Sequence, residues 1–135
     1  MSTEEDILKT CKTIAIVGLS SNPERASHHV GGYLKEQGYC IIPVNPGEKE
    51  ILGEVCYPDL PSIPQKVDAV DIFRKSEDVP PIVKDAIKIG AKAVWMQEGI
   101  SSPEAAKDAM KAGLKVVMDK CMFKEHSKLF PSGSN

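Results

Sequence analysis

Residues 18–27, Gly18-Leu19-Ser20-Ser21-Asn22-Pro23-Glu24-Arg25-Ala26-Ser27, gather a glycine, three serine hydroxyls and an arginine into one short segment. That mixture suits an anion. Backbone N–H groups and the positive end of a following helix attract phosphate, Ser20, Ser21 and Ser27 can donate hydroxyls, and Arg25 can form paired hydrogen bonds to phosphate oxygens. A plainer reading of the same residues has Ser27 capping the helix and Arg25 standing in solvent. His28 and His29 follow directly. Adjacent helical positions point about 100° apart, so at most one of them faces a bound phosphate.

Cys121, Glu125 and His126 are the residues from which a nucleophile and its base would be drawn. On a helix Cys121 and Glu125 share a face and His126 is displaced around the axis, so a packed free cysteine beside solvated charges is the simpler account. Cys121 and His126 without a second pair of donors do not make a structural zinc site. The four cysteines, Cys11, Cys40, Cys56 and Cys121, are scattered with no CxxC pair, which fits reduced thiols.

These residues have to be positioned by regular elements. Residues 12–18 form an apolar, β-branched run ended by glycine, the pattern of a buried strand. Ser27 opens a segment in which Val30, Tyr33 and Leu34 recur at helical spacing until Gly38. Residues 39–44 supply a second strand, closed by Asn45-Pro46-Gly47, and a loop rich in proline and glycine runs on to Pro64. Residues 67–73 alternate apolar and acidic side chains, which predicts a strand with one less buried face. Helices follow from Pro80 to Gly90 and from Ser102 to Gly113, with strands at 91–96 and 115–118. The polar tail from residue 127 to 135 is expected to fray.

Strands separated by helices repeat the βαβ unit, whose right-handed crossovers build a parallel sheet. The expected fold is α/β: a single Rossmann-like domain over residues 1–135, an open sheet of about five parallel strands with helices on both faces. Ligands of such sheets bind beyond the carboxyl ends of the strands. The first turn lacks the dinucleotide fingerprint, since Ser20 and Pro23 stand where GxGxxG places glycines. No acidic residue ends the second strand to hold a nicotinamide ribose, and no GxxxxGK[ST] occurs, so NAD and an ordinary P-loop nucleotide are disfavoured.

The chain has 135 residues, 41% hydrophobic and 27% charged, with a formal net charge of -2. Without a basic cluster, nucleic acid is excluded as the expected partner. No apolar run approaches the roughly 20 residues that span a bilayer, and the acidic N-terminus is unlike a secretory leader, so a cytoplasmic protein with no membrane role is expected. A protein partner or a homo-oligomer is compatible with the sequence but specified by none of its residues.

The blocks Gly18 to Ser27, Pro43-Val44-Asn45-Pro46, Val70-Asp71-Ile72-Phe73-Arg74, Trp95-Met96-Gln97-Glu98-Gly99 and Val117-Met118-Asp119-Lys120-Cys121, in this order, resemble the small stand-alone CoA-binding proteins. These are similar to the CoA-binding domain of the succinyl-CoA synthetase alpha subunit. The resemblance implies coenzyme A, or an acyl-CoA, as ligand. It places Ser20, Ser21, Asn22, Pro23 and Arg25 around the phosphates, in the turn whose Gly18 and Ser27 are counted with the same site, Asn45, Pro46 and Lys49 after the second strand, Phe73 and Arg74 on the adenine side, and Met96, Gln97 and Glu98 near the pantetheine arm. Four turns would then converge on one groove. The synthetase carries its phosphohistidine in another domain, so the resemblance implies a binding module without ligase activity. The alternative from another class is a small enzyme acting on a CoA thioester through Cys121 or Glu98.

Overall fold

The computed structural model describes residues 2–131. Five parallel strands make the main sheet: β1 (Thr13–Val17), β2 (Cys40–Val44), β5 (Ala69–Ile72), β6 (Ala93–Met96) and β7 (Lys115–Val117), in the spatial order β2-β1-β5-β6-β7. Register is continuous across it, with Ile16 opposite both Pro43 and Asp71, and Asp71 opposite Trp95. Helices α1 (Thr3–Thr10), α2 (Ala26–Glu36) and α5 (Met122–Leu129) cover one face, and α3 (Val79–Lys88) and α4 (Pro103–Lys111) cover the other. The predicted Rossmann-like α/β architecture is the one observed.

The local causes are legible. Helices α2, α3 and α4 each end two residues before Gly38, Gly90 and Gly113. Ser102 caps α4 by accepting the Ala105 N–H at 3.3 Å, with proline in the first turn where its missing N–H costs little. Alternate strand residues feed two cores: Ala15, Val17, Val70 and Ile72 pack under α3 and α4, while Ile14, Ile16, Ala69 and Trp95 pack under the other three helices.

Four features differ from expectation. A helix precedes the first strand, started by Ser2, whose Oγ accepts the Glu5 N–H at 3.1 Å; the Ser-x-x-Glu capping pattern is its signal. The loop between residues 45 and 64 contains a short antiparallel hairpin, β3 (Glu50–Ile51) and β4 (Glu54–Val55), turned at Leu52 and Gly53, both with positive φ. Lys35 on α2 holds that turn, donating to the Leu52 carbonyl at 2.6 Å and pairing with Glu54 at 3.0 Å. All four residues of β5 are buried rather than half-buried, because helices cover both sides of the middle strand of the sheet. The tail expected to fray from residue 127 is helical as far as Leu129. His126 is buried there, its Nδ1 2.6 Å from the Tyr33 hydroxyl and its ring against Tyr39 and Phe130. Residues 132–135 of that expected tail lie outside the described residues. Among the described residues, no helix is long and apolar enough to cross a membrane. All four cysteines are free.

Candidate functional site

The chain leaves β1 for β2 on one side and returns to β5 on the other, so the strand order reverses between the carboxyl ends of β1 and β5. Crossovers departing in opposite directions leave a crevice at that point. A cleft of about 620 Å³ occupies it.

Gly18, one of the residues that line it, has φ +89°, a conformation that side chains resist. A Cβ at Gly18 would lie 3.0 Å from the Phe73 carbonyl oxygen and 3.1 Å from Arg74 Cδ. The glycine therefore lets the first turn run close beside the end of β5. Internal hydrogen bonds hold that turn: the Ser20 N–H donates to Ser27 Oγ at 3.0 Å, the Asn22 N–H to Ser20 Oγ at 3.0 Å, and the Glu24 N–H to Asn22 Oδ1 at 3.0 Å. Asn45 ties the second turn to the first, donating through Nδ2 to the Leu19 carbonyl at 3.1 Å. Arg25 sits at the N-cap of α2, where no side chain caps the helix, so the first-turn amides are not engaged by a cap.

Of the predicted residues, Gly18, Ser20, Asn22 and Arg25 line the cleft from the first turn, and Asn45, Pro46, Phe73 and Arg74 from the next two. Lys75 and Asp78, which sequence reasoning passed over, line it as well, and Arg74 pairs with Asp78 at 3.6 Å. Their signal was position alone, directly after the strand that borders the switch point. The cleft thus carries three cationic side chains, Arg25, Arg74 and Lys75, against one carboxylate.

The other predicted residues are not on it. Ser27 is buried and neither caps the helix nor faces the main cleft; its hydroxyl supports Ser20 beside a smaller adjoining hollow. Ser21 points away, donating to Glu48 at 3.1 Å. Pro23 lines a different groove, shared with His28, His29 and Phe123, and His28 Nδ1 is occupied at 2.8 Å from the Ser20 carbonyl. Lys49 is exposed beyond the cleft, where its carbonyl accepts the Cys56 N–H in the hairpin segment.

The turn after β6, the fourth of the turns expected to converge, does not line this cleft. Met96 is wholly buried in the core under α3 and α4. Gln97 is buried too, donating from Nε2 to Asp71 Oδ1 at 2.5 Å and accepting the Met122 N–H at 3.2 Å, so its amide joins the middle strand to the start of α5. Glu98 is exposed and paired with Lys124 of α5 at 3.1 Å. Docking of α5 takes up these groups, and three turns form the cleft. Asp71 itself is fully buried, Oδ2 has no hydrogen-bond partner, and desolvation pushes its carboxyl up to about 7 despite the Gln97 bond that favours ionisation.

The nucleophile candidates also stand off the cleft. Cys121 is the residue before α5, and its proposed base His126 is engaged by Tyr33; burial holds the imidazole below its ordinary value. Among the described residues, no group of three or more His, Cys, Asp or Glu side chains could hold a metal ion.

The chain is similar to the uncharacterized protein YneT of Bacillus subtilis, with 37% identity over 123 residues, 91% of this chain and 91% of that protein. It is 32% identical over 93 residues to the ADP-forming acetate–CoA ligase II of Archaeoglobus fulgidus, a match covering 67% of this chain but only 14% of the ligase. Among solved structures, a hypothetical protein of Pyrococcus horikoshii OT3 superposes with a TM-score of 0.92 at 44% identity, covering 96% of this chain and 92% of the other. The family model for the CoA binding domain matches residues 12–127, from the first strand into the last helix. On that match the chain belongs to the CoA binding domain family, which supports a CoA-related binding role.

Proposed function

We propose that this protein binds coenzyme A or an acyl-CoA in the cleft at the carboxyl ends of β1, β2 and β5, as a binding module that performs no reaction of its own. The phosphates lie at the turn from Gly18 to Arg25 and the adenine side at Pro46, Phe73 and Arg74. The observation that carries this reading is the meeting of those two groups of residues around one cleft at the point of strand reversal.

The residues present fit the ligand. CoA is a polyanion through its pyrophosphate and 3′-phosphate, and Arg25, Arg74 and Lys75 set three cations around the cleft, two of them guanidinium groups able to hold phosphate oxygens in pairs. Glycine at position 18 lets the phosphate turn pass close beside Phe73 and Arg74. The non-catalytic part of the reading is supported by the placement of Cys121, Glu98 and His126, each tied into α5 and none lining the cleft.

Calorimetric titration of protein verified to be free of copurified CoA tests this. Saturable binding is expected for CoA and acetyl-CoA, with none for NADH. Arg25→Ala is expected to weaken CoA by about ten- to hundredfold, the scale of a lost charge-assisted hydrogen bond, and to leave phosphate-free pantetheine unchanged. Absence of CoA binding sinks the proposal; equal loss for CoA and pantetheine removes Arg25 from the phosphate site.

A further inference from the structure

Beside the main cleft, and sharing Pro46 and Arg74 with it, lies a more enclosed cavity of about 160 Å³. Its walls are largely apolar, made by Val17, Val44, Pro58, Leu60 and Ile82. A cavity of roughly this size in an engineered protein takes up a benzene ring, so it can admit one ring of a flat heteroaromatic base entering edge-on, with the fused second ring at the mouth. Pro46 offers an apolar surface, and the planar guanidinium of Arg74 can stack on an aromatic face.

Two carboxylates break this apolar lining, Asp59 and Asp85. Asp59 is committed to its own chain: Oδ1 accepts the Ser62 N–H at 3.0 Å and the Ser62 hydroxyl at 2.6 Å, capping the 3₁₀ turn over Leu60–Ser62. Asp85 is different. It lies one turn after Ile82 on α3, on the same side of the helix, and its side chain makes no hydrogen bond or ion pair among the described residues. A lone carboxylate next to a cleft for a polyanion repels the ligand's phosphates. Among the groups that CoA carries, it suits only a neutral one that donates hydrogen bonds. The exocyclic amine of an aminopurine is such a group, whereas a 6-oxo purine would set a carbonyl oxygen against the carboxylate oxygens.

Resting on the CoA reading above, we infer that this side cavity receives the adenine ring and that Asp85 accepts a hydrogen bond from its 6-amino group. Asp85 makes the site selective for 6-amino over 6-oxo purines.

The test is calorimetric titration of the wild-type protein with CoA and with its deaminated analogue, in which hypoxanthine replaces adenine, followed by the same pair on Asp85→Ala and Asp85→Asn. Wild type is expected to bind the analogue about ten- to hundredfold more weakly than CoA. In Asp85→Ala, CoA weakens about tenfold and the two ligands fall within threefold of each other. Asp85→Asn, whose amide both donates and accepts, binds the two alike. Equal binding of CoA and its analogue to wild type overturns the assignment of the amino-group reader and leaves CoA binding standing. Discrimination that survives in both variants assigns it to another residue and overturns the role of Asp85. Failure of wild type to bind either ligand overturns the CoA reading and this inference with it. Because the wild-type comparison needs no substitution, an unstable variant does not protect the proposal.

Discussion

Asp71→Asn isolates the cost of placing a carboxyl in the middle of this sheet. Asp71 is wholly buried between Ile16 and Trp95 on the neighbouring strands, with Oδ2 unpartnered. Its folded carboxyl is pushed from an ordinary value of 3.8 to about 7 by desolvation. The unfolded chain therefore releases this proton at a lower pH than the folded one. The stability that Asp71 contributes is fully present below about pH 4, is lost as pH rises toward 7, and changes little above that. Each pH unit by which folding delays ionisation is worth ~1.4 kcal/mol, so the loss is about 3 kcal/mol between pH 5 and pH 8. Asparagine keeps the shape and an oxygen for the Gln97 Nε2 donor but has no proton to lose. Any fixed penalty from its extra amide hydrogens is the same at every pH. Denaturant unfolding of both proteins at pH 5, 6, 7 and 8, with equal slopes, reads the difference directly. Asp71→Asn is expected to gain on wild type by about 3 kcal/mol across that range. A difference that stays flat from pH 5 to 8 would refute the argument and mean that the folded carboxyl ionises as it does in water.

Gly18→Ala is expected to lose about 1–3 kcal/mol of stability, from the left-handed backbone at position 18 and the crowding against Phe73, and to weaken CoA through displacement of Arg74; an unchanged urea midpoint would show that the turn relaxes freely. His126→Gln should become more stable relative to wild type as pH falls from 7 to 5. Burial lowers the folded imidazole's proton affinity, so wild type loses stability once the unfolded histidine protonates; parallel pH profiles for the two proteins would contradict this.

These residues show how function and fold are joined at the end of the sheet. The Gln97 amide connects Asp71 on the middle strand to the first N–H of α5, and α5 in turn holds Glu98 through Lys124. The groups nearest the expected pantetheine side are thus engaged in seating the last helix, whereas those of the first three turns stay open to the cleft.

Local pattern was enough for the five strands of the main sheet and for three of the helices. The apolar run of β1, the helical spacing of Val30, Tyr33 and Leu34, and the glycines that follow α2, α3 and α4 are constraints between residues near in sequence, and such constraints survive without tertiary context. From alternating strands and helices a parallel sheet follows, and with it a cleft at the strand ends beside the first turn of Gly18, Ser20, Asn22 and Arg25; Asn45, Pro46, Phe73 and Arg74, which the family resemblance pointed to, line the same cleft. Which way a side chain turns at a strand end was not. Gln97 looks like a free polar group after β6, yet α5 covers it and takes its carbonyl; Ser27 looks like a cap, yet it supports the turn from beneath. Asp71 reads as the solvent-facing member of an alternating strand, and only the packing of helices on both faces removes it from water. Lys75, Asp78 and Asp85 join the cleft and its side cavity because β5 and α3 fold back beside β1 and β2. Sequence determined most of the segments that form and that their main strands run parallel. Burial, and so the charge state of Asp71 and the freedom of each polar group to meet a ligand, was decided by contacts between residues far apart in the chain.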